Sequence, residues 1–166
     1  MANATIVDVA EAIKEAIKGH EWLIRELCVE RSYANVRQKL EDLDTVRIDV
    51  VPWNSQPEID SVGTFLWPCE VDILIRRRNT ANEQNPSGEL RKEEIDLLMR
   101  LVQDVYEFFL PSQATDPEQT GRLVTFDEAH WEETRMIAHY VRSHLAELRQ
   151  FTGWIRLTYS VGKVPG

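Results

Sequence analysis

The run from Trp154 to Val161 alternates so regularly that an extended conformation is the natural one for it. Ile155, Leu157, Tyr159 and Val161 share one parity, while Trp154, Arg156, Thr158 and Ser160 share the other. A strand built this way has one apolar and one mostly polar face, and near the end of a chain it can close a sheet begun by earlier segments.

Two other stretches carry the same period. Val46, Ile48 and Val50 oppose Arg47 and Asp49, and Pro52 is expected to end that strand by removing a ladder donor. Val71, Ile73 and Ile75 oppose Glu70 and Asp72 in a strand over residues 65–76, where Pro68 marks an edge or a bulge. A further strand is expected within residues 22–33, which are rich in Leu, Ile, Val and Cys, and a short one over 122–126. Residues 54–61 read as a loop. Polar, breaker-rich loops are expected over 77–88 and 111–120.

Helical spacing appears twice. Ile6, Val9, Ile13 and Ile17 make one apolar stripe, with Thr5 as N-cap and Gly19 as a left-handed stop. Ile95, Leu98, Met99, Val102, Tyr106 and Phe109 make a second, starting near Ser87 or Glu89 and stopped by Pro111. Burying a large apolar side chain contributes about 1.5–3 kcal/mol, so both stripes demand a partner, and the apolar sheet face is the obvious one. Residues 131–149 fit a helix or a strand. A strand over 134–138 followed by a helical turn over 143–149 is preferred. The order of elements lacks regular βαβ alternation. The expected fold is therefore α+β, an antiparallel or mixed sheet of about four to five strands packed against two main helices in one domain spanning 1–166.

Composition narrows the functional classes. A net charge of −9 disfavours a nucleic-acid groove, and the local run Arg76-Arg77-Arg78 reads as a solvated strand end. No stretch has the apolar length of a membrane span, and the first residues lack the pattern of a secretory signal, so a cytoplasmic site of synthesis is expected. Cys28 and Cys69 read as buried or half-buried free thiols. No Cys/His spacing suggests a metal, and His139 and His144 are five apart, a spacing that does not bring two imidazoles together on a helix. Glycines do not form a phosphate-binding loop, and acidic pairs such as Glu93-Glu94 read as solvated faces. No cofactor and no catalytic residue is expected.

The tryptophans are the residues most suggestive of contacts. Trp is enriched at protein–protein interfaces, where one ring supplies a large anchor. Trp154 lies on the polar parity of its strand, beside Arg156, and Trp53 and Trp67 flank one loop. Together with Arg77 and Arg78 these are the candidate interface residues.

Three stretches resemble a known family. Glu30-Arg31-Ser32-Tyr33, then Leu40-Glu41-Asp42-Leu43-Asp44-Thr45-Val46-Arg47-Ile48-Asp49-Val50-Val51-Pro52, and finally His144-Leu145-Ala146-Glu147-Leu148-Arg149-Gln150-Phe151-Thr152-Gly153 with Ile155-Arg156-Leu157-Thr158-Tyr159 are similar to small structural proteins of tailed phages and prophages. Size and element order resemble the tail-terminator (tail-completion) family, with neck and head-completion proteins close behind. The resemblance implies an α+β domain that assembles as a homohexameric ring at the head-proximal end of the tail, in the virion. There it would cap the tail tube protein, stop tube growth and face the head–tail connector or neck protein. Two alternatives stand beside it: a head-completion protein on the portal side, and a non-catalytic cytoplasmic binding or regulatory module. An enzyme comes last.

Overall fold

The structure is a computed structural model, and it describes residues 3–33, 45–61, 63–111, 123, 125–126 and 128–163. Its centre is one mixed sheet built from β1 (Leu27–Arg31), β2 (Val46–Ser55), β3 (Glu58–Ser61), β4 (Thr64–Arg78), β5 (Ala129–Ala138) and β6 (Gln150–Lys163). Strand order is β1-β2-β4-β6-β5, with β3 paired on β4. β1 and β2 run parallel and every other pair is antiparallel. The α+β reading holds, with six strands among the described residues rather than four or five.

The additional strand comes from the segment expected to be a loop. β2 runs through Pro52 to Ser55, with a bulge between Pro52 and Asn54. Proline is tolerated because β1 pairs only as far as Val50, leaving this part of β2 without a partner from β1. β3 then resumes pairing along the same flank of β4, and Gly63, at φ +86°, supplies the left-handed turn between β3 and β4. Pro68 falls in the gap between Leu66, which pairs with β3, and Cys69, which pairs with β2.

Two helices cover one face. α1 (Thr5–Lys18) buries Val9, Ala10, Ile13 and Ile17, and α2 (Lys92–Phe108) buries Leu98, Leu101, Val102 and Val105. They share a core with Ile48, Val50, Val71, Ile73, Ile75, Ile155, Leu157 and Tyr159 of the sheet. Thus the parity read from β6 sorts its residues as expected. Gly153 packs directly under α2, and a Cβ added there would collide with Val102 Cγ2.

Several local expectations are corrected. Thr5 is the first helical residue, and Ala4 occupies the cap without a side-chain hydrogen bond. Gly19 ends α1 in the right-handed region, its N–H donating to Glu15 O at 3.0 Å. α2 begins at Lys92 rather than near Ser87 because Gly88, at φ +67°, closes a turn by donating to Asn85 O. The strand sought in 22–33 starts only at Leu27. Before it, Trp22 folds back, donating from Nε1 to Ile17 O at 2.8 Å and meeting Phe108 edge-on. Over 122–126, Phe126 N–H donates to Leu123 O in a turn leading into β5, and Arg122 and Val124 lie outside the described residues. The loop expected over 111–120 also lies outside them beyond Pro111. The strand over 134–138 is part of β5, and the helical turn over 143–149 is a single π-helical turn, His144–Leu148.

Candidate interaction surface

The face of the sheet opposite α1 and α2 carries the polar parity, and strand register determines which charges meet there. Arg47 of β2 stands opposite Arg76 of β4, a like-charge pair that would be unfavourable alone. Asp49 resolves it. Its carboxylate accepts from Arg47 Nε at 3.0 Å, from Arg76 Nη2, and from Ser32 Oγ at 2.8 Å. Asp49 and Arg76 are both 0% exposed, so Arg76 is not part of a solvated strand end as the sequence suggested. Burial lowers the proton affinity of the Arg47 guanidinium, but the Asp49 hydrogen bond together with the negative charges of Asp49 and Glu30 outweighs it and the net shift is upward.

Four residues before Arg76 on β4, Asp72 faces Arg156 of β6. Arg156 donates from Nε to Asp72 Oδ1 at 2.7 Å and from Nη2 to Oδ2 at 3.2 Å, a bidentate fork that raises the guanidinium's affinity for its proton. The guanidinium carbon lies 3.8 Å from the Trp53 ring centroid and 5.7 Å from that of Trp154. Three of the six candidate interface residues therefore converge: Trp53, Trp154 and Arg156. Trp154 is half-buried, and its Nε1–H is enclosed with no acceptor among the described residues.

The other three lie apart. Trp67 has the helix-side parity of β4 and packs against the core while lining a groove of about 680 Å³ with Trp53, Tyr33 and the first residues of α1. Arg77 is half-buried at the far end of β4 and donates from Nη2 to Asn79 Oδ1 at 3.3 Å, and Arg78 beside it is exposed. Arg77 and Asn79 line a polar cleft of about 690 Å³ with Asn82, Gln84, Arg91 and Glu94. Burial pushes the Glu94 carboxyl up, but hydrogen bonds from Arg91 Nε (2.9 Å) and Asn79 Nδ2 (3.0 Å) outweigh it, and the net shift is downward.

Beyond the groove β3 and β4 form a hairpin, with β6 paired along the other flank of β4 as far as Lys163. Ile59 of β3 pairs with Phe65 of β4, so the two side chains are cross-strand neighbours on one face. Ile59 is 80% exposed and Phe65 36%. Sequence reading missed both, although two apolar residues flanking Gly63 are a hairpin signal. It also missed Tyr33, which is 69% exposed beside the groove. Asp49 and Asp72 were read only as the polar side of their strands, because sequence alone does not give register.

Among the described residues no group of three or more His, Cys, Asp or Glu could hold a metal ion, and no helix is long and apolar enough to cross a membrane. Cys28 is half-buried and Cys69 buried, both as free thiols whose proton affinity is raised by burial. No protein-family model matches the sequence, and a search of curated proteins finds no match.

Proposed function

We propose that this chain is a structural protein of the phage head–tail joint, a tail terminator whose copies close into a homohexameric ring on the tail tube. What supports this reading is a sheet that outruns its helices. β4 has 15 residues, about 50 Å at ~3.3 Å per residue, whereas α1 has 14 residues and is about 21 Å long at 1.5 Å per residue. Past the start of α1 the sheet exposes Ile59 and Phe65 as cross-strand neighbours, and Trp53 is exposed on the opposite, polar face. Exposed large apolar side chains on a charged chain are suited to contact with another protein, and a closed ring needs contact surfaces on each copy. The resemblance of three stretches to tail-terminator proteins adds the location and the partners, namely the tail tube protein on one side and the connector or neck protein on the other.

The test is solution mass by size exclusion with light scattering, followed by pull-down with tail tube and connector proteins. A particle of about six subunits that retains the tube protein is the expected result. Retention of portal-side proteins alone would move the chain to the head-completion class. A steady monomer that binds neither would remove the joint reading.

One observation favours a second reading, a non-catalytic binding or regulatory module. The polar cleft between Arg77 and Arg91 presents two guanidinium groups and several amides in a concave setting suited to a small polar ligand. Such a module would be absent from purified particles.

A further inference from the structure

The turn between β4 and α2 is a wall held in place by its own side chains. Asn82 N–H donates to Asn85 O at 3.0 Å, and Asn85 N–H returns a bond to Asn82 O at 3.2 Å. Asn82 Oδ1 also accepts from Gln84 N–H at 2.9 Å and from Asn85 N–H at 2.8 Å. Asn85 Nδ2 donates to Glu89 O at 2.9 Å, and Arg149 Nη1 donates to Ser87 O, tying the turn to the residue before β6. At Gly88 a Cβ would lie 3.1 Å from Asn79 O, so the two ends of the turn touch. A wall ordered in this way need not be ordered again by a ligand.

That wall and the first turn of α2 line the polar cleft of about 690 Å³, a volume suited to a small molecule. Its chemistry is lopsided. Arg77 and Arg91 both line it, and Glu94 is the one carboxylate among its described lining residues, in a chain whose net charge is −9. Glu83, Glu89 and Glu93 are close in sequence, but they are exposed and are not among the lining residues.

Glu94 already takes up part of the donor set. It accepts from Arg91 Nε and from Asn79 Nδ2, while Arg77 Nη2 donates to Asn79 Oδ1. Those contacts use one nitrogen of each guanidinium, and a guanidinium presents a fork of N–H donors with no acceptor. Arg77 Nε–H is enclosed without an acceptor among the described residues, a state that leaves its desolvation uncompensated. Donors are therefore in surplus, and two cations face one anion. An acceptor-rich anion from outside balances both.

We infer that the cleft between Arg77 and Arg91 binds a small oxyanion, a carboxylate or a phosphate. Half-buried Arg77 is the anchor, exposed Arg91 closes on the ligand from the rim, and Glu94 is the internal carboxylate with which the ligand competes. Planar guanidinium groups match paired oxygens of either anion. Binding exchanges one carboxylate on Arg91 for another anion, and the charge left on Glu94 repels the newcomer. This inference rests on the second reading's use of the cleft as a ligand site and gives that ligand its class.

The experiment is titration calorimetry at low salt with inorganic phosphate, citrate and glycerol. The chains compared are the wild type, Arg77→Gln, Arg91→Gln and Glu94→Gln, with circular dichroism as the folding control. One oxyanion per chain with a dissociation constant of about 0.1–1 mM is the expected result. Arg91 is exposed, so Arg91→Gln keeps the fold and should weaken binding by roughly 10-fold, with Arg77→Gln at least as severe. Glu94→Gln should instead tighten binding by roughly 3- to 10-fold, because the competing charge is gone. Tighter binding of citrate would assign carboxylates as the source, and tighter binding of phosphate would assign phosphates. Binding that Arg91→Gln and Arg77→Gln leave unchanged would overturn the site. Saturable binding of glycerol alone, lost in Arg77→Gln, would overturn the oxyanion class and keep the second reading. No saturable heat with any of the three up to about 20 mM would overturn both.

Discussion

Arg156 spans three strands of the sheet: rooted on β6, it grips Asp72 on β4 with two hydrogen bonds and lays its guanidinium 3.8 Å from the Trp53 ring centroid on β2. Sequence separation between Arg156 and Asp72 is 84 residues, so this clasp joins distant parts of the chain. It also accounts for an aromatic ring held on the polar side of the sheet near its edge.

The clasp predicts a graded loss. Arg156→Ala leaves Asp72 buried without its counter-charge and strips one face of Trp53, at an expected cost of about 3–5 kcal/mol. Arg156→Lys keeps the charge but loses the planar fork, at about 1–2 kcal/mol. Urea unfolding of both variants checks the order. Equal losses would mean that charge alone matters and the fork does not.

Asp49 predicts coupling between β2 and β4. Asp49→Ala removes the carboxylate shared by Arg47 and Arg76 and should cost about 3–5 kcal/mol, with Asp49→Asn intermediate. In a double-mutant cycle, Arg47→Ala combined with Asp49→Ala should cost less than the sum of the two single changes. Additive losses would show that the two side chains do not interact energetically.

Gly153 predicts a steric penalty. An alanine methyl there would collide with Val102 Cγ2, and a buried β-branched side chain has little freedom to yield. Gly153→Ala should destabilise by about 1–3 kcal/mol, and adding Val102→Ala should recover part of that loss by vacating the space. Thermal melting of the single and double variants decides it, and a single variant as stable as the wild type would show that α2 shifts freely.

Glu11 predicts part of the acid limb of stability. Lys14 and Arg31 hydrogen-bond its carboxylate, Lys14 at 2.8 Å, and together they hold it below the ordinary carboxylate value of 4.5. Because the folded state binds this proton more weakly than the unfolded state, the stabilisation is present above that ordinary value and is lost as pH falls through the folded one. Glu11→Gln should therefore flatten the decline in melting temperature between about pH 5 and about pH 3. An unchanged slope would assign the acid limb to other carboxylates, with Glu94 next in line.

Periodicity made α1, α2, β4 and β6 legible, because each is long enough to repeat its pattern and each buries the parity its sequence displays. What escaped depends on pairing. Pro52 would end an internal strand, but β1 stops at Val50, and that limit is set by register rather than by the residues of β2. Arg76 looked solvated in a run of three arginines, yet it shares a face with Asp49, which pairing brings alongside. β3 is a four-residue strand in a polar segment, too short to show a period, and only its neighbour β4 makes it a strand. Of the candidate site, the tryptophans and Arg156 were visible as unusual residues for their positions. Their convergence was not visible, because it needs the order β2-β4-β6.

That order has a consequence for how the molecule is made. β6 is last among the described strands in sequence, yet it lies between β4 and β5 in the sheet. At a synthesis rate of about 5–20 residues per second, β4 emerges on the order of ten seconds before the strand that covers its flank. During that interval the nascent chain offers an unpaired edge carrying Val71, Ile73 and Ile75, an invitation to adhere to other chains. A copy truncated before Gln150 would not be a smaller version of the same domain. It would keep the pairing of β1, β2 and β3 with β4 but leave the other flank of β4 bare and β5 without its partner strand.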